Sequence, residues 1–282
     1  MEVKPYLEVT KPKQTVLLMV TCVISYIVAG DSFNIFHFIV TCIAVFLAVA
    51  GTTALNMWLD RDIDSLMSRT RHRPVPSGRL SDEECAFYGS ILFLIGFAIG
   101  LKINFYLAIV LLMGLFFDII IYTILLKRMS PYSIVLGGVA GAMPSLAGWT
   151  AAAGRIELTG IIISTIILLW IPAHIWYLSI HFEEDYRLAG IPMLPLVVGM
   201  EKASWAIVIS TGIMLILVSL LYLMTSLGTL YLSISFVFTS YFLYRTIKFA
   251  KSPSREKAKH MYKLASITLG VIYLSMLIGS LG

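Results

Sequence analysis

Charge is scarce in this chain. Of 282 residues, 13% are Asp, Glu, Lys or Arg and 59% are hydrophobic, whereas a soluble globular domain carries about 25% charge. With a mean hydropathy of +0.89, the deficit excludes an ordinary water-soluble domain. Cysteine is just as sparse: Cys22, Cys42 and Cys85 have no CxxC or Cys/His neighbour, which excludes a disulfide framework and leaves packing as their reading. The opening MEVKPYLEVTKPKQ lacks the layout of a cleavable signal peptide. With the compact length, this gives an expectation of a prokaryotic cell membrane rather than an organelle.

What the chain has instead is apolar runs of roughly 20 residues along its whole length, each enough to cross a bilayer as a helix. The reading is an all-α polytopic membrane protein, with about nine transmembrane helices in a bundle around a central cavity. The spans fall near 14–30, 36–57, 86–104, 106–126, 131–153, 158–180, 204–224, 227–250 and 262–281. Charge placement tests this layout. The N-terminus and the loops after spans 2, 4, 6 and 8 hold all but Lys102 and Arg155 of the 21 Lys and Arg residues. The positive-inside rule puts that side, with the N-terminus, in the cytoplasm, so the formal +5 charge calls for no nucleic-acid partner. Two basic-side loops, about 60–85 and 181–203, are long and chemically dense. Each opens with carboxylates and runs on to prolines, Pro74 and Pro76 in one and Pro192 and Pro195 in the other. Their separation by four spans suggests a single transmembrane domain, residues 1–282, made of two pseudo-repeated helical halves.

The first of these loops starts from Asn56-x3-Asp60-x3-Asp64. If the second span continues as a helix, the three side chains line one face about 6 Å apart. Hard oxygen donors stacked at a membrane mouth suit a divalent cation such as Mg²⁺, which binds through one or two carboxylates and substrate phosphates. Asp185 and Glu184, brought opposite, would complete the metal ring. The cations Lys11, Lys13, Arg71, Arg73, Lys127 and Arg128 can clamp a diphosphate and stabilise it as a leaving group. His174 and His181 lie about two turns apart in the sixth span, and an ionisable group at membrane depth is a functional hypothesis by default. Asp118 sits about nine residues before Lys127 and so roughly 14 Å deeper; it is expected to pair with a cation or to stay protonated against a neighbouring helix.

The ladder resembles the first aspartate-rich signature of the UbiA superfamily of intramembrane prenyltransferases. Further runs resemble its heme-modifying branch, the protoheme IX farnesyltransferases or heme O synthases. They are Asp60-Arg-Asp-Ile-Asp64, Arg69-Thr-Arg-His-Arg-Pro-Val-Pro-Ser-Gly-Arg79, Tyr122-Thr with Leu126-Lys-Arg128, Gly137-Gly-x2-Gly-Ala-x-Pro144, Pro172-Ala-His-Ile-Trp176 and Asp185-Tyr-Arg-x-Ala-Gly-Ile-Pro-Met-Leu-Pro195. The resemblance implies an enzyme in which Mg²⁺ and basic residues ionise farnesyl or a longer polyprenyl diphosphate. A vinyl group of heme b attacks the allylic cation and water completes the product, heme O. It implies Asp60, Asp64 and Asp185 as catalytic residues and His174, His181, Trp176 and Tyr122 as the acceptor site. The partners implied are heme, the prenyl diphosphate, membrane lipid and a heme A synthase or oxidase-assembly protein. One departure stands out: where many members carry Asp-x3-Asp, this chain reads His181-Phe-Glu-Glu-Asp185. Two alternatives stay open, a related prenyltransferase acting on an aromatic acid, quinone precursor or lipid, and a non-enzyme, an ion-coupled transporter or lipid-binding protein. The transporter would need charges reaching both faces, and nearly all lie at one mouth.

Overall fold

The chain is described by a computed structural model covering residues 3–30 and 33–281. Helices dominate: α1 (Val3–Val9), α2 (Pro12–Ala29), α3 (Ile35–Leu59), α4 (Arg61–Leu66), α5 (Asp82–Ile103), α6 (Phe105–Leu126), α7 (Ser133–Ala153), α8 (Leu158–His181), α9 (Glu183–Leu188), α10 (Leu194–Val198), α11 (Met200–Met224), α12 (Gly228–Lys251) and α13 (Arg255–Ser280). Eight of them are long and apolar enough to cross a membrane. α12 is as long, at 24 residues, and more polar, with Arg245, Lys248 and Lys251 in its last two turns. It packs between α11 and α13. Among the described residues, each span read from the sequence overlaps one of these helices, eight of them candidate spans and α12 the more polar one, and the chain is a multi-pass membrane protein. The main shift in boundary is at α13, which begins at Arg255 rather than 262 because Ser254 caps the Lys257 N–H. Its charged first turns stand clear of the apolar run.

Helix ends follow local chemistry. Pro12 opens α2 at a position where a missing N–H is harmless. Ser81 and Glu84 form a reciprocal capping box at the start of α5. Between spans there is no hydrophobic drive to associate in lipid, so close backbone approach matters. Gly148 of α7 lies so near Cys22 of α2 that a Cβ there would meet the Cys22 carbonyl. Gly51, Gly89 and Gly96 let α3 and α5 meet in the same way. Polar contacts add to this: Ser145 of α7 bonds Ser25 of α2 (2.8 Å) and Tyr273 of α13 (2.9 Å). α7 is therefore the central helix, packed by α2, α6 and α8.

The second half of α6, Phe116–Leu126, is wound as a π-helix. Such i→i+5 segments are rare and cluster at functional sites. It ends with the Lys127 N–H donating to the Tyr122 carbonyl at 2.8 Å.

Candidate active site

α3 stops at Leu59, yet its ladder does not break. Asp60 N–H still donates to the Asn56 carbonyl (3.0 Å), and Asp64 N–H donates to the Asp60 carbonyl (2.8 Å). Asn56, Asp60 and Asp64 are thereby held in helical spacing across the α3–α4 junction, and all three are buried, at 7%, 1% and 3% exposure. Buried carboxylates need partners. Lys127 Nζ reaches Asp60 Oδ2 at 2.5 Å and Arg73 Nη1 reaches Asp64 Oδ2 at 2.6 Å. Lys11 Nζ donates to Asn56 Oδ1 at 2.8 Å, while the Asn56 amide donates to Asp60 Oδ2 (3.0 Å) and to Thr123 Oγ1 (2.9 Å). Lys127 also lies 5.4 Å from the centre of the Tyr122 ring, and that ring rests on Gly137, where a Cβ would collide with it.

Lys11 holds a left-handed backbone, φ 44 and ψ 66, uncommon for a residue with a Cβ. Burial, reinforced by the nearby Arg73 and opposed by Asp64 and Asp60, pushes its ammonium down to about 8. At Lys127, burial works the same way, but Tyr122 and Asp60 outweigh it and the pKa is raised.

Beyond this polar ring, α2, α3, α6 and α7 line a partly open cleft, walled by Val45, Val49, Leu111, Leu115, Met143 and Pro144.

The remaining sequence-predicted residues do not join this ring. Asp185, 7% exposed, accepts from Ser68 Oγ (2.9 and 3.0 Å) and from the Ser68 and Arg69 N–H groups (3.2 and 3.4 Å). These bonds clasp the first long loop. Glu184 is 84% exposed and lies against Arg255; Glu183 is shared by Arg187 and Arg255. Arg128 forms a two-pronged pair with Asp62 on the surface (2.5 and 2.7 Å), and this holds the Asp62 carboxyl below its ordinary value. Lys13 and Arg71 are exposed. His174 is sandwiched between Trp170 (4.4 Å) and Tyr262 (4.6 Å) and bonded to Ser266, so it faces α13. His181 lies against Phe182. Trp176 is buried with an unpartnered indole N–H. Of the expected acceptor residues only Tyr122 stands beside the ring. Among the described residues, no three Asp, Glu, His or Cys side chains converge on one metal position.

Thr123 was not anticipated, nor was the clasp at Ser68. The signal for Thr123 was the Asn56 amide itself, whose two donors require acceptors once buried.

Residues 17–267 match the UbiA prenyltransferase family. A protoheme IX farnesyltransferase of Archaeoglobus fulgidus is 58% identical, over 99% of this chain and 98% of its own. In fold, a digeranylgeranylglyceryl phosphate synthase superposes with a TM-score of 0.84 at 23% identity, over 99% of this chain and 98% of its own. A UbiA homologue of A. fulgidus, bound to GPP and Mg²⁺, superposes with a TM-score of 0.67 at 15% identity, over 96% and 99%. A family match spanning most of the chain, and a relative of nearly equal length at such identity, agree with the helical bundle and its buried carboxylates: the chain belongs to the UbiA prenyltransferase family.

Proposed function

We propose that this protein transfers a farnesyl group from its diphosphate to a vinyl group of protoheme IX, giving heme O and diphosphate. The observation that carries the transferase chemistry is the ring of buried carboxylates, neutralised by Lys127 and Arg73, at the head of an apolar cleft. The acceptor and the chain length rest on the similarity to protoheme IX farnesyltransferases.

Asn56, Asp60 and Asp64 would hold Mg²⁺. The fit is supported by their hard oxygen donors and by Asp60 Oδ1, which is buried and has no partner among the described residues. Asp185 and Glu184 fit less well, since their oxygens are engaged elsewhere. When bound, the ion supplies charge neutralisation of the leaving diphosphate. The chain's own part is an exchange of partners. Lys11, Arg73 and Lys127 turn from Asn56, Asp64 and Asp60 to the diphosphate oxygens, and cations fixed in a dry site stabilise the leaving group far better than in water. The apolar cleft holds the prenyl tail and keeps bulk water from the allylic cation.

The wider setting is inferred too. The basic end, with its active-site loops and N-terminus, faces the cytoplasm across the cell membrane by the positive-inside rule. The chain is one unit of two pseudo-repeated halves, in which α2, α3, α5 and α6 correspond to α7, α8, α11 and α12. Its product would pass to a heme A synthase or an oxidase-assembly partner.

The test is purified protein with Mg²⁺, heme b and farnesyl diphosphate, read by mass spectrometry. A hydroxyfarnesylated heme is expected. Prenylation of 4-hydroxybenzoate or of a glycerol-phosphate lipid, with heme untouched, would overturn the acceptor assignment.

A further inference from the structure

The cleft has a polar layer that the ionisation step does not use. Above that layer stands a first tier, which the ionisation step does use, the linked set Lys11, Asn56 and Thr123. One turn further into the membrane, about 5 Å along each helix, the lining residues are Gln14 on α2, Thr52 and Thr53 on α3, and Asp118 on α6. All other lining residues are apolar.

The π winding of α6 is what puts Asp118 there. In an α-helix, residues five apart are turned about 140° from one another. With i→i+5 bonding they share one face of the helix. Thr123 therefore stands over Asp118, its hydroxyl donating to the Asp118 carbonyl at 2.7 Å. Lys127 stands over Tyr122 in the adjoining column, its N–H bonded to the Tyr122 carbonyl. Asp118, Tyr122, Thr123 and Lys127 thus form one face, running from the cleft to the carboxylate ring. The Asp118 carboxylate takes no hydrogen bond from any described residue, and the charges that act on it are Lys11, Asp60 and Lys127.

We propose that this second tier is a water-capture subsite, with Asp118 as its catalytic base. The inference rests on the heme-farnesylation reading above. With the diphosphate on the first tier, the carbon it leaves lies at the level of the second. The vinyl β-carbon bonds to that carbon as the C–O bond to diphosphate breaks, and the positive charge passes to the vinyl α-carbon, two bonds away and at the same level. Water held by Asp118 and the Thr and Gln side chains adds its oxygen to the α-carbon and gives a proton to the Asp118 carboxylate. The hydroxyl stays on the heme, and the proton leaves with the diphosphate. If no base meets the water there, the cation sheds a proton from carbon instead, giving an alkene lighter by one water.

The experiment is Asp118→Asn and Asp118→Glu in full-length protein, with diphosphate release and adduct mass read in parallel. Asp118→Asn is expected to keep diphosphate release within about threefold while the hydroxylated adduct falls at least tenfold, with the dehydrated adduct or free farnesol in its place. Asp118→Glu is expected to restore hydroxylation in part. Hydroxylated adduct at the wild-type rate from Asp118→Asn overturns the proposal, as does loss of hydroxylation strictly parallel to loss of diphosphate release in both variants. No heme adduct from the unmodified protein would instead reject the heme-farnesylation reading itself.

Discussion

Two acidic segments end two membrane helices of this protein, and they are put to different use. Asp60 and Asp64, after α3, are almost fully buried and face Lys127 and Arg73 beside an apolar cleft. After α8, Glu184 lies exposed against Arg255, Glu183 is shared by Arg187 and Arg255, and Asp185, itself buried, clasps Ser68 and the backbone of the opposite loop. The difference lies in what each carboxylate would lose by giving up its partner. A surface pair gives up about 0–1 kcal/mol. A buried carboxylate cannot release its cation unless another charge replaces it, and on the proposed function the incoming diphosphate and its ion are that replacement for the first segment. The second segment stays in place whether or not substrate is present.

The sharpest way to break this contrast is to remove the buried carboxylates. Asp60→Ala and Asp64→Ala are each expected to lower turnover by at least about 100-fold, while each protein still inserts and purifies from membranes. Near-normal turnover in either, measured as diphosphate release, would remove the metal-site reading.

Asp185→Ala comes next. Losing the clasp on Ser68 should loosen the first loop and lower turnover about tenfold through misplacement, and Ser68→Ala should reproduce much of the loss. The discriminating measurement is the Mg²⁺ concentration for half-maximal rate. A large increase for Asp185→Ala without one for Ser68→Ala would make Asp185 a metal ligand and collapse the contrast.

The contrast is clear in residue types and spacing only for the first segment. Asn56, Asp60 and Asp64 recur every fourth residue, and helical spacing survives the α3–α4 bend, so their convergence was legible. Nine apolar runs and a one-sided charge distribution likewise gave the helices. The second segment was not legible, because a run of carboxylates does not say which one turns inward. His174 shows the same limit: its depth followed from the span, but its facing α13 depends on helix rotation, set by packing with Trp170 and Tyr262. The π winding of α6 also left no trace, since hydrogen-bond register has no compositional mark.

The smallest effects should come from the surface pairs. Arg128→Gln, which frees the exposed Asp62, and Glu184→Gln, on a side chain 84% exposed, are each expected to change turnover by less than about threefold. A tenfold loss from Arg128→Gln would place that guanidinium on the diphosphate after all.

The backbone at Lys11 has one more implication. A left-handed φ is where glycine sits without steric penalty, and among the described residues Lys11 is the one non-glycine that adopts it. Selection acting on robustness alone would favour glycine there. On the proposed role of Lys11 toward the diphosphate, a lysine there trades durability for activity, so attempts to make this protein more heat-resistant by relieving strain should leave this position untouched.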